Sequence, residues 1–234
     1  MLTYTDLDLL QMQVEALFVH DTNSKLLRIN EPDPTDPAPR LFLARTRTQN
    51  LWRTRYDLPL DLAVELERLA AHEPVSNDLF EAPRYAAEYA ELLKQQAPLI
   101  TTDSGPAYYL PESDLPHTAV TVTSENVNLL QAHFPWLFTT LADYVPVSAA
   151  VVDGKAVAVC FCSRITKQVA EAGVYTEDSY RGHGYATDTV RGWAAAVRSS
   201  GLLPLYETSW TNTASQAIAR KLGAVQYAVN YSLT

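Results

Sequence analysis

The chain has 234 residues, 47% of them hydrophobic, and a formal net charge of −9. This length and composition allow one large domain or two small ones with a buried core, and the acidic balance argues against a nucleic-acid partner. No run approaches the roughly 18 apolar residues that cross a membrane. Asp6 and Asp8 stand where a signal peptide would be basic. We therefore expect a cytoplasmic protein without a membrane partner.

The N-terminal half, residues 1–144, contains helical and strand-like patterns but no chemical motif. Apolar residues recur at helical spacing near its start and in later segments. The predicted elements are helices over residues 5–19, 60–72, 83–96 and 124–133, the last capped by Ser124, and strands over residues 41–47 and 105–110. The simplest interpretation is a helix-rich cap that shapes a substrate pocket.

The C-terminal half, residues 145–234, alternates strands and helices. Residues 148–152 and 155–162 predict a β-hairpin, because Asp153-Gly154 between β-branched runs is a two-residue turn signal. The elements that follow are a strand over 168–176, a helix over 185–200 ended by Gly201, a strand over 203–210, a short helix over 212–223 ended by Gly223, and a strand over 225–233. The predicted order is therefore β-β-β-α-β-α-β.

The chain has two cysteines, Cys160 and Cys162, both in the predicted hairpin. Residues two apart on a strand share a face and cannot easily form a disulfide with each other. A zinc site needs more ligands than these two thiols. We expect buried strand residues and no metal.

Residues 181–186, Arg-Gly-His-Gly-Tyr-Ala, connect a predicted strand to the helix that follows it. The first N–H groups of a helix have no intrahelical partner, and the helix dipole adds positive charge there, so this turn favours a phosphate. Glycine lets the backbone approach an anion closely, and Arg181 adds a positive fork. The sequence lacks the G-x-x-x-x-G-K-[ST] of a P-loop and the third glycine of a dinucleotide fingerprint.

The charge distribution agrees with an anion site in the C-terminal half. Residues 145–234 carry eight Lys and Arg against six Asp and Glu, a net charge of +2. Residues 1–144 carry ten against twenty-one, a net charge of −11. The acidic half either favours a cationic amine substrate or serves solubility alone.

Two motifs resemble those of the GNAT superfamily, the coenzyme A-dependent N-acetyltransferases. Residues 181–186 fit [RQ]-x-x-G-x-[GA], the pattern of the pyrophosphate loop, and residues 212–223 resemble the second motif, N-x-x-[AS]-x-x-[LI]-x-x-K-x-G. With the β-β-β-α-β-α-β order, they make residues 145–234 similar to the GNAT core. The resemblance implies an α/β (α+β) fold of the GNAT acyl-CoA N-acyltransferase type, a mixed central sheet flanked by helices with a helix-rich N-terminal half.

The resemblance also divides the chain. Residues 145–234 would be the acetyltransferase core, and residues 1–144 would be a substrate-side cap or a degenerate GNAT-like half. Segments 171–176, 204–210 and 212–215 are similar to a bacterial subfamily without a defined substrate. Edge strands of this fold often pair between subunits, so a homodimer is compatible with the resemblance.

By the same resemblance, these residues would bind acetyl-CoA. The Val174 N–H would polarise the thioester carbonyl, where negative charge develops in the transition state, and the Thr176 backbone would contact the pantetheine arm. Asn212 would bond that arm or cap the helix, and Ser215 would face the cofactor. The residues that would cradle the pyrophosphate are Arg181, Gly182, His183, Gly184, Tyr185 and Ala186, with His183 as an outward loop residue.

Direct transfer to an amine needs the amine neutral, so a base or a water chain must remove a proton. Glu171 is the main candidate, because this strand carries the base in several GNAT enzymes. On a regular strand its side chain and that of Val174 lie on alternate faces, and a bulge would realign them. Glu207 is a weaker candidate, and Asp178 fits a loop cap better.

The general acid is a departure from the family. Many GNAT enzymes place a tyrosine one position after Ile218, where it protonates the leaving thiolate. Here that position is Ala219. Another group would then supply the proton, with Ser215, Tyr227 and Tyr231 as candidates, or the thiolate leaves without an acid.

The implied reaction is direct transfer of an acetyl group from acetyl-CoA to a primary amine of a small molecule. A non-catalytic acyl-CoA sensor or interaction module on the same fold is the alternative, because Ala219 lacks a hydroxyl group. The two differ in turnover with amines. The acceptor and the acyl chain length stay open, since variable loops build the acceptor pocket of this fold.

Overall fold

A computed structural model describes residues 4–33, 36–113 and 115–234. None of the helices in these ranges is both long enough and apolar enough to cross a membrane. Within the same ranges, no three or more His, Cys, Asp or Glu side chains are grouped so that they could hold a metal ion.

The chain forms two compact units. The first contains the described residues up to Tyr108, together with Glu207–Asn212 and Gln226–Thr234, and the second contains Tyr109–Tyr206 and Thr213–Val225. The elements begin with α1 (Asp6–Leu17), β1 (Phe18–His20), β2 (Leu26–Ile29), β3 (Leu41–Arg45), β4 (Asn50–Thr54), α2 (Leu60–Ala71), α3 (Ala86–Gln96) and β5 (Thr102–Tyr109). They continue with β6 (Val120–Val122), α4 (Pro135–Thr140), β7 (Val147–Val152), β8 (Lys155–Ile165), β9 (Val169–Thr176), α5 (Tyr185–Ser199), β10 (Leu203–Glu207), α6 (Thr213–Lys221) and β11 (Val225–Leu233).

Helix α1 begins with a reciprocal cap. The Asp8 N–H donates to the Thr5 Oγ1 at 3.2 Å, and the Thr5 N–H donates to the Asp8 Oδ2 at 2.8 Å. This capping box satisfies two backbone donors that the helix itself leaves without partners. The helix predicted from residue 5 is confirmed, and it ends at Leu17 because the next residues form β1.

The first unit contains a sheet in the order β4-β3-β11-β5. Strand β3 is antiparallel to both β4 and β11. Leu43 and Tyr231 lie opposite each other on one face of this sheet, where they pack with Leu66 of α2 and Leu93 of α3. Both helices were predicted from helical spacing, and their apolar side chains explain why they cover the sheet.

The second unit contains a mixed sheet in the order β10-β9-β8-β7-β6. Strands β10 and β9 are parallel, and the other neighbours are antiparallel. The predicted hairpin of β7 and β8 is confirmed, with Asp153 and Gly154 at φ values of +49° and +74° in its turn. Positive φ at both central residues matches the twist of the flanking strands.

Helices cover both faces of this second sheet. On one face, here called the α4 face, Phe161 of β8 packs with Leu137 of α4. On the other, the α5 face, Trp193 of α5 lies beside the side chain of Cys162. Cys160 shares that face, and both thiols are buried and free, as expected. Burial raises the pKa of the Cys162 thiol to about 11.

The predicted order is confirmed as β7-β8-β9-α5-β10-α6-β11, within a mixed α/β fold. The helix predicted over residues 124–133 with a Ser124 cap is wrong. The chain forms a short 3₁₀ turn, Val127–Leu130, after Asn126. The Asn126 side chain accepts a hydrogen bond from the Thr123 N–H at 2.7 Å, so a local turn replaces the helix start.

Candidate active site

The loop between β9 and α5 has the backbone conformation that its glycines permit. Gly182 has a φ of +82° and Gly184, the N-cap residue of α5, has a φ of +88°. A Cβ at either position would meet no atom within 4 Å, so the conformation and not the space favours glycine. The N-terminus of α5 has no side-chain cap. Its first N–H groups are therefore available to an acceptor outside the helix.

The side chains of this loop are turned toward solvent. The Arg181 Nη2 lies 2.7 Å from the Asp178 Oδ1, and these side chains are 71% and 83% exposed. The His183 Nδ1 lies 2.9 Å from the Arg181 carbonyl oxygen, and the His183 ring stacks on Tyr185 with centroids 5.9 Å apart. His183 is exposed, as expected of an outward loop residue.

A pocket of about 430 Å³ opens beside the start of α5. Its lining residues are Thr118, His183, Gly184, Tyr185, Thr187, Asp188, Arg191 and Lys221. Asp188 accepts hydrogen bonds from the Thr118 N–H and, at 2.8 Å, from the Thr118 hydroxyl. Arg191 and Lys221 add two cations near the helix start, so the pocket suits an anionic group.

Strands β9 and β10 part beside this loop. Their pairing runs from Leu203↔Val169 to Leu205↔Glu171, whereas β9 itself continues to Thr176. Residues 172–176 therefore form an edge of β9, here called the open edge, that β10 no longer pairs. A strand edge of this kind presents backbone donors and acceptors to other groups.

The backbone directions on the open edge follow from two hydrogen bonds. The Leu203 N–H donates to the Gln168 carbonyl at 2.9 Å, so even-numbered residues of this segment direct their backbone groups toward β10. The Glu177 N–H donates to Val157 of β8 at 2.9 Å, which agrees with the alternation. The N–H groups of Val174 and Thr176 accordingly face the open edge.

Glu171 lies at the point where the strands part, but its side chain is buried and only 2% exposed. A bulge does occur next to it, between Cys162 and Arg164 of β8, and not in β9. The alternation along β9 is thus retained, and Glu171 has its side chain on the α4 face while Val174 has its side chain on the α5 face.

Helix α6 carries the second motif. The Ser215 Oγ lies 2.7 Å from the hydroxyl oxygen of Tyr206, the residue of β10 that follows Leu205. Ala219 is 1% exposed, so its methyl group belongs to the core. Asn212 directly precedes α6, is exposed, and belongs to the first unit.

The two tyrosines considered as general acids, Tyr227 and Tyr231, are buried residues of the first unit. Burial raises the pKa of Tyr231 above its ordinary value. Of the expected site residues, the second unit contains Glu171, the open edge, the loop and Ser215.

Sequence reasoning did not find Arg191, Thr118 or Tyr206. Lys221 is the lysine of the second motif, so the sequence motif could have identified it as a residue of the pocket. Arg191 lies in the first two turns of α5, where a cation can reach the helix start. Many surface arginines occupy such a position, so the position alone does not indicate a site. The pairing of Tyr206 with Ser215 depends on how α6 packs on β10, which no local pattern encodes.

Solved structures show partial likeness to this chain. A GNAT-family structure from Novosphingobium aromaticivorans matches at 22% identity and a TM-score of 0.46, over 58% of this chain and 65% of that one, just under two thirds of its length. An acetyltransferase from the GNAT family of Colwellia psychrerythraea matches at 17% identity and a TM-score of 0.47, over 79% and 76%. A GCN5-related N-acetyltransferase-like protein from Streptococcus suis matches at 15% identity and a TM-score of 0.49, over 87% of both chains. No curated protein gives a significant match.

The fold is of the acyltransferase type, with a mixed sheet, a glycine loop at the start of α5 and two strands that part beside it. Residues 112–225 match the model of one family, described as the acetyltransferase (GNAT) domain. This segment is a GNAT acetyltransferase domain. The matched segment nearly coincides with the second unit.

Proposed function

We propose that this protein transfers an acetyl group from acetyl-CoA directly to a primary amine of a small molecule. The observation that carries the proposal is the open edge of β9 beside the glycine-rich start of α5. One feature suits a thioester carbonyl and the other suits a pyrophosphate, and acetyl-CoA contains both groups.

Residues 181–186 would hold the pyrophosphate. The uncapped N-terminus of α5 offers N–H donors and the positive end of the helix dipole. Arg181 supplies an exposed cation from the solvent side, and Arg191 and Lys221 would add charge along the pocket wall. Charge-assisted hydrogen bonds of this kind are about twice as strong as neutral ones.

The Val174 N–H would donate to the thioester carbonyl oxygen. When the amine attacks, that oxygen gains negative charge, and a donor already aimed at it stabilises the transition state more than the ground state. The Thr176 backbone would hold the pantetheine arm along the same edge. We assign Asn212 to that arm and Ser215 to the cofactor side of α6.

We propose Glu171 as the general base. Its buried carboxylate lies on the α4 face, away from the side chain of Val174. A water would therefore have to carry the proton from the attacking amine to Glu171, which general-base catalysis allows. The base assignment predicts a loss of rate without a loss of cofactor affinity when Glu171 is neutralised.

The remaining assignments concern the chain as a whole. We propose residues 145–234 as the catalytic core and residues 1–144 as the substrate-side region, with a cytoplasmic location and a small-molecule amine partner. The acidic balance of residues 1–144 suits a cationic amine. A homodimer stays a prediction, which sedimentation of the purified chain would test.

The test of the proposed reaction is a free-thiol assay with acetyl-CoA against amines of several classes, with mass spectrometry of the products. Enzyme-dependent thiol release together with an acetylated amine is the expected result. Bound acetyl-CoA that is never turned over by any amine would instead favour an acyl-CoA sensor.

A further inference from the structure

Tyr206 and Ser215 form a hydroxyl pair in the second unit. Their oxygens are 2.7 Å apart, within the usual range for a hydrogen bond between hydroxyl groups. The Tyr206 side chain is 2% exposed, whereas Ser215 is half-buried in the first turn of α6. Ser215 is thus the member of the pair that another molecule reaches first, and Tyr206 lies behind it.

The pair lies where β10 leaves β9. Tyr206 is the first residue of β10 beyond the paired segment that ends at Leu205↔Glu171. In that segment Pro204 lies opposite Ala170, so the side chain of Tyr206, two residues further, is on the α5 face. The side chain of Val174 is on the same face, and its N–H faces the open edge. The hydroxyl pair therefore borders the gap into which the Val174 N–H is directed.

We propose that Ser215 donates a proton to the thiolate that leaves during acyl transfer, and that Tyr206 is a positioning residue that supplies Ser215 with its proton. This inference rests on the proposed function, because it requires the thioester to bind at the open edge. It assigns Tyr206 a part in the reaction and removes the need for a hydroxyl group at position 219.

The proton transfers balance. The amine nitrogen forms a bond to the carbonyl carbon, and the carbon–sulfur bond breaks with its electron pair on sulfur. Sulfur takes the proton of the Ser215 hydroxyl, and Ser215 takes the proton of the Tyr206 hydroxyl. The Tyr206 oxygen takes a proton from solvent water, and the proton that the amine loses passes through water to Glu171, which later releases it to solvent. No oxidant, metal or further reactant takes part.

A two-hydroxyl chain is chemically better suited to this task than an isolated serine. Hydrogen bonds in a chain polarise one another, so the Tyr206 hydroxyl strengthens the donor character of Ser215. Hydrogen bonds to a charged group contribute more than those between neutral groups. The buried methyl group of Ala219 offers no competing donor.

The direct test uses free coenzyme A and needs no acceptor. The thiol of bound coenzyme A is titrated through the ultraviolet absorbance of its thiolate in the wild type, Ser215→Ala and Tyr206→Phe. We expect both substitutions to increase the proton affinity of the bound thiolate about tenfold, as expected for one lost hydrogen bond to a charged group. Tyr175→Phe is the matched control, because Tyr175 lies on the α4 face of β9 and stacks on Phe161.

A kinetic test uses hydroxylamine as a small acceptor and measures enzyme-dependent thiol release from acetyl-CoA. Tyr206→Phe and Ser215→Ala should each lower kcat about tenfold with KM for acetyl-CoA unchanged, and the double variant should be no slower than either. Ser215→Thr, which keeps a hydroxyl group, should restore most of the rate.

Failures of the two proposals are distinguishable. If coenzyme A does not bind, the proposed function fails first. If it binds and the thiol titrates identically in the wild type, Ser215→Ala and Tyr206→Phe, the hydroxyl pair has no such part. Additive rate losses, or rates in Ser215→Ala and Tyr206→Phe equal to that of Tyr175→Phe, would overturn the inference as well. No enzyme-dependent release from the wild type would contradict the proposed function instead.

Discussion

Two glycine turns of the second unit share a backbone conformation and differ in what they leave exposed. Gly154 has a φ of +74° and closes the hairpin of β7 and β8, where Val152 pairs with Lys155. Gly184 has a φ of +88° and starts α5 without a side-chain cap. The left-handed conformation alone therefore does not make an anion site. The free helix donors and the neighbouring cations do.

The largest effect is expected from Gly184→Asp compared with Gly154→Asp. Both substitutions place a carboxylate on a left-handed residue with open space around its Cβ, so the backbone strain is similar. Only Gly184→Asp puts a negative charge against the proposed pyrophosphate. We expect it to weaken acetyl-CoA binding by more than about 100-fold, whereas Gly154→Asp binds like the wild type in calorimetry. Micromolar affinity retained in Gly184→Asp would mean that the loop is misassigned.

Glu171→Gln tests the chemical step separately from cofactor binding, which the two turns concern. The amide keeps the shape of the buried side chain but cannot take a proton. We expect the rate to fall about 100-fold with acetyl-CoA affinity largely intact. The pH–rate profile should lose the limb that reports the base, and a profile identical to that of the wild type would remove Glu171 from this role.

Arg181→Ala compared with Lys155→Ala tests the cations beside the two turns. Arg181 should contribute about tenfold to acetyl-CoA affinity, and its contribution should shrink at high salt. Lys155 follows the hairpin turn and should contribute nothing. The free energy of unfolding should hardly change in Arg181→Ala, because its ion pair with Asp178 is exposed. Equal affinities of the two variants would contradict the assignment of Arg181.

The smallest effect concerns the cysteines of β8, which follow the hairpin turn. Cys160 and Cys162 are buried, and burial raises the pKa of both thiols, that of Cys162 to about 11. We expect neither to react with a thiol reagent at neutral pH until the protein unfolds. Because the folded-state pKa of Cys162 exceeds the ordinary value of 9.0, its contribution to stability is lost as the pH rises from 9.0 toward about 11. Rapid labelling of the native protein would contradict this burial.

The sequence predicted the region around both turns better than the N-terminal part. Strand β8, the Asp153-Gly154 turn and the start of α5 have strong local signals, and the structure contains them where expected. Short strands β1, β2 and β4 escaped prediction, since three to five residues give little periodicity. The open edge and the Tyr206–Ser215 pair depend on tertiary packing, which local patterns do not encode. The division between residues 144 and 145 stays a prediction.

Calorimetric titration of the wild-type protein with acetyl-CoA tests the central claim most directly. The site at α5 and the open edge predict one binding site of micromolar affinity that weakens as salt rises, because phosphate contacts are screened. The cofactor assignment would be contradicted if no binding heat were measured at two temperatures and equilibrium dialysis retained no acetyl-CoA.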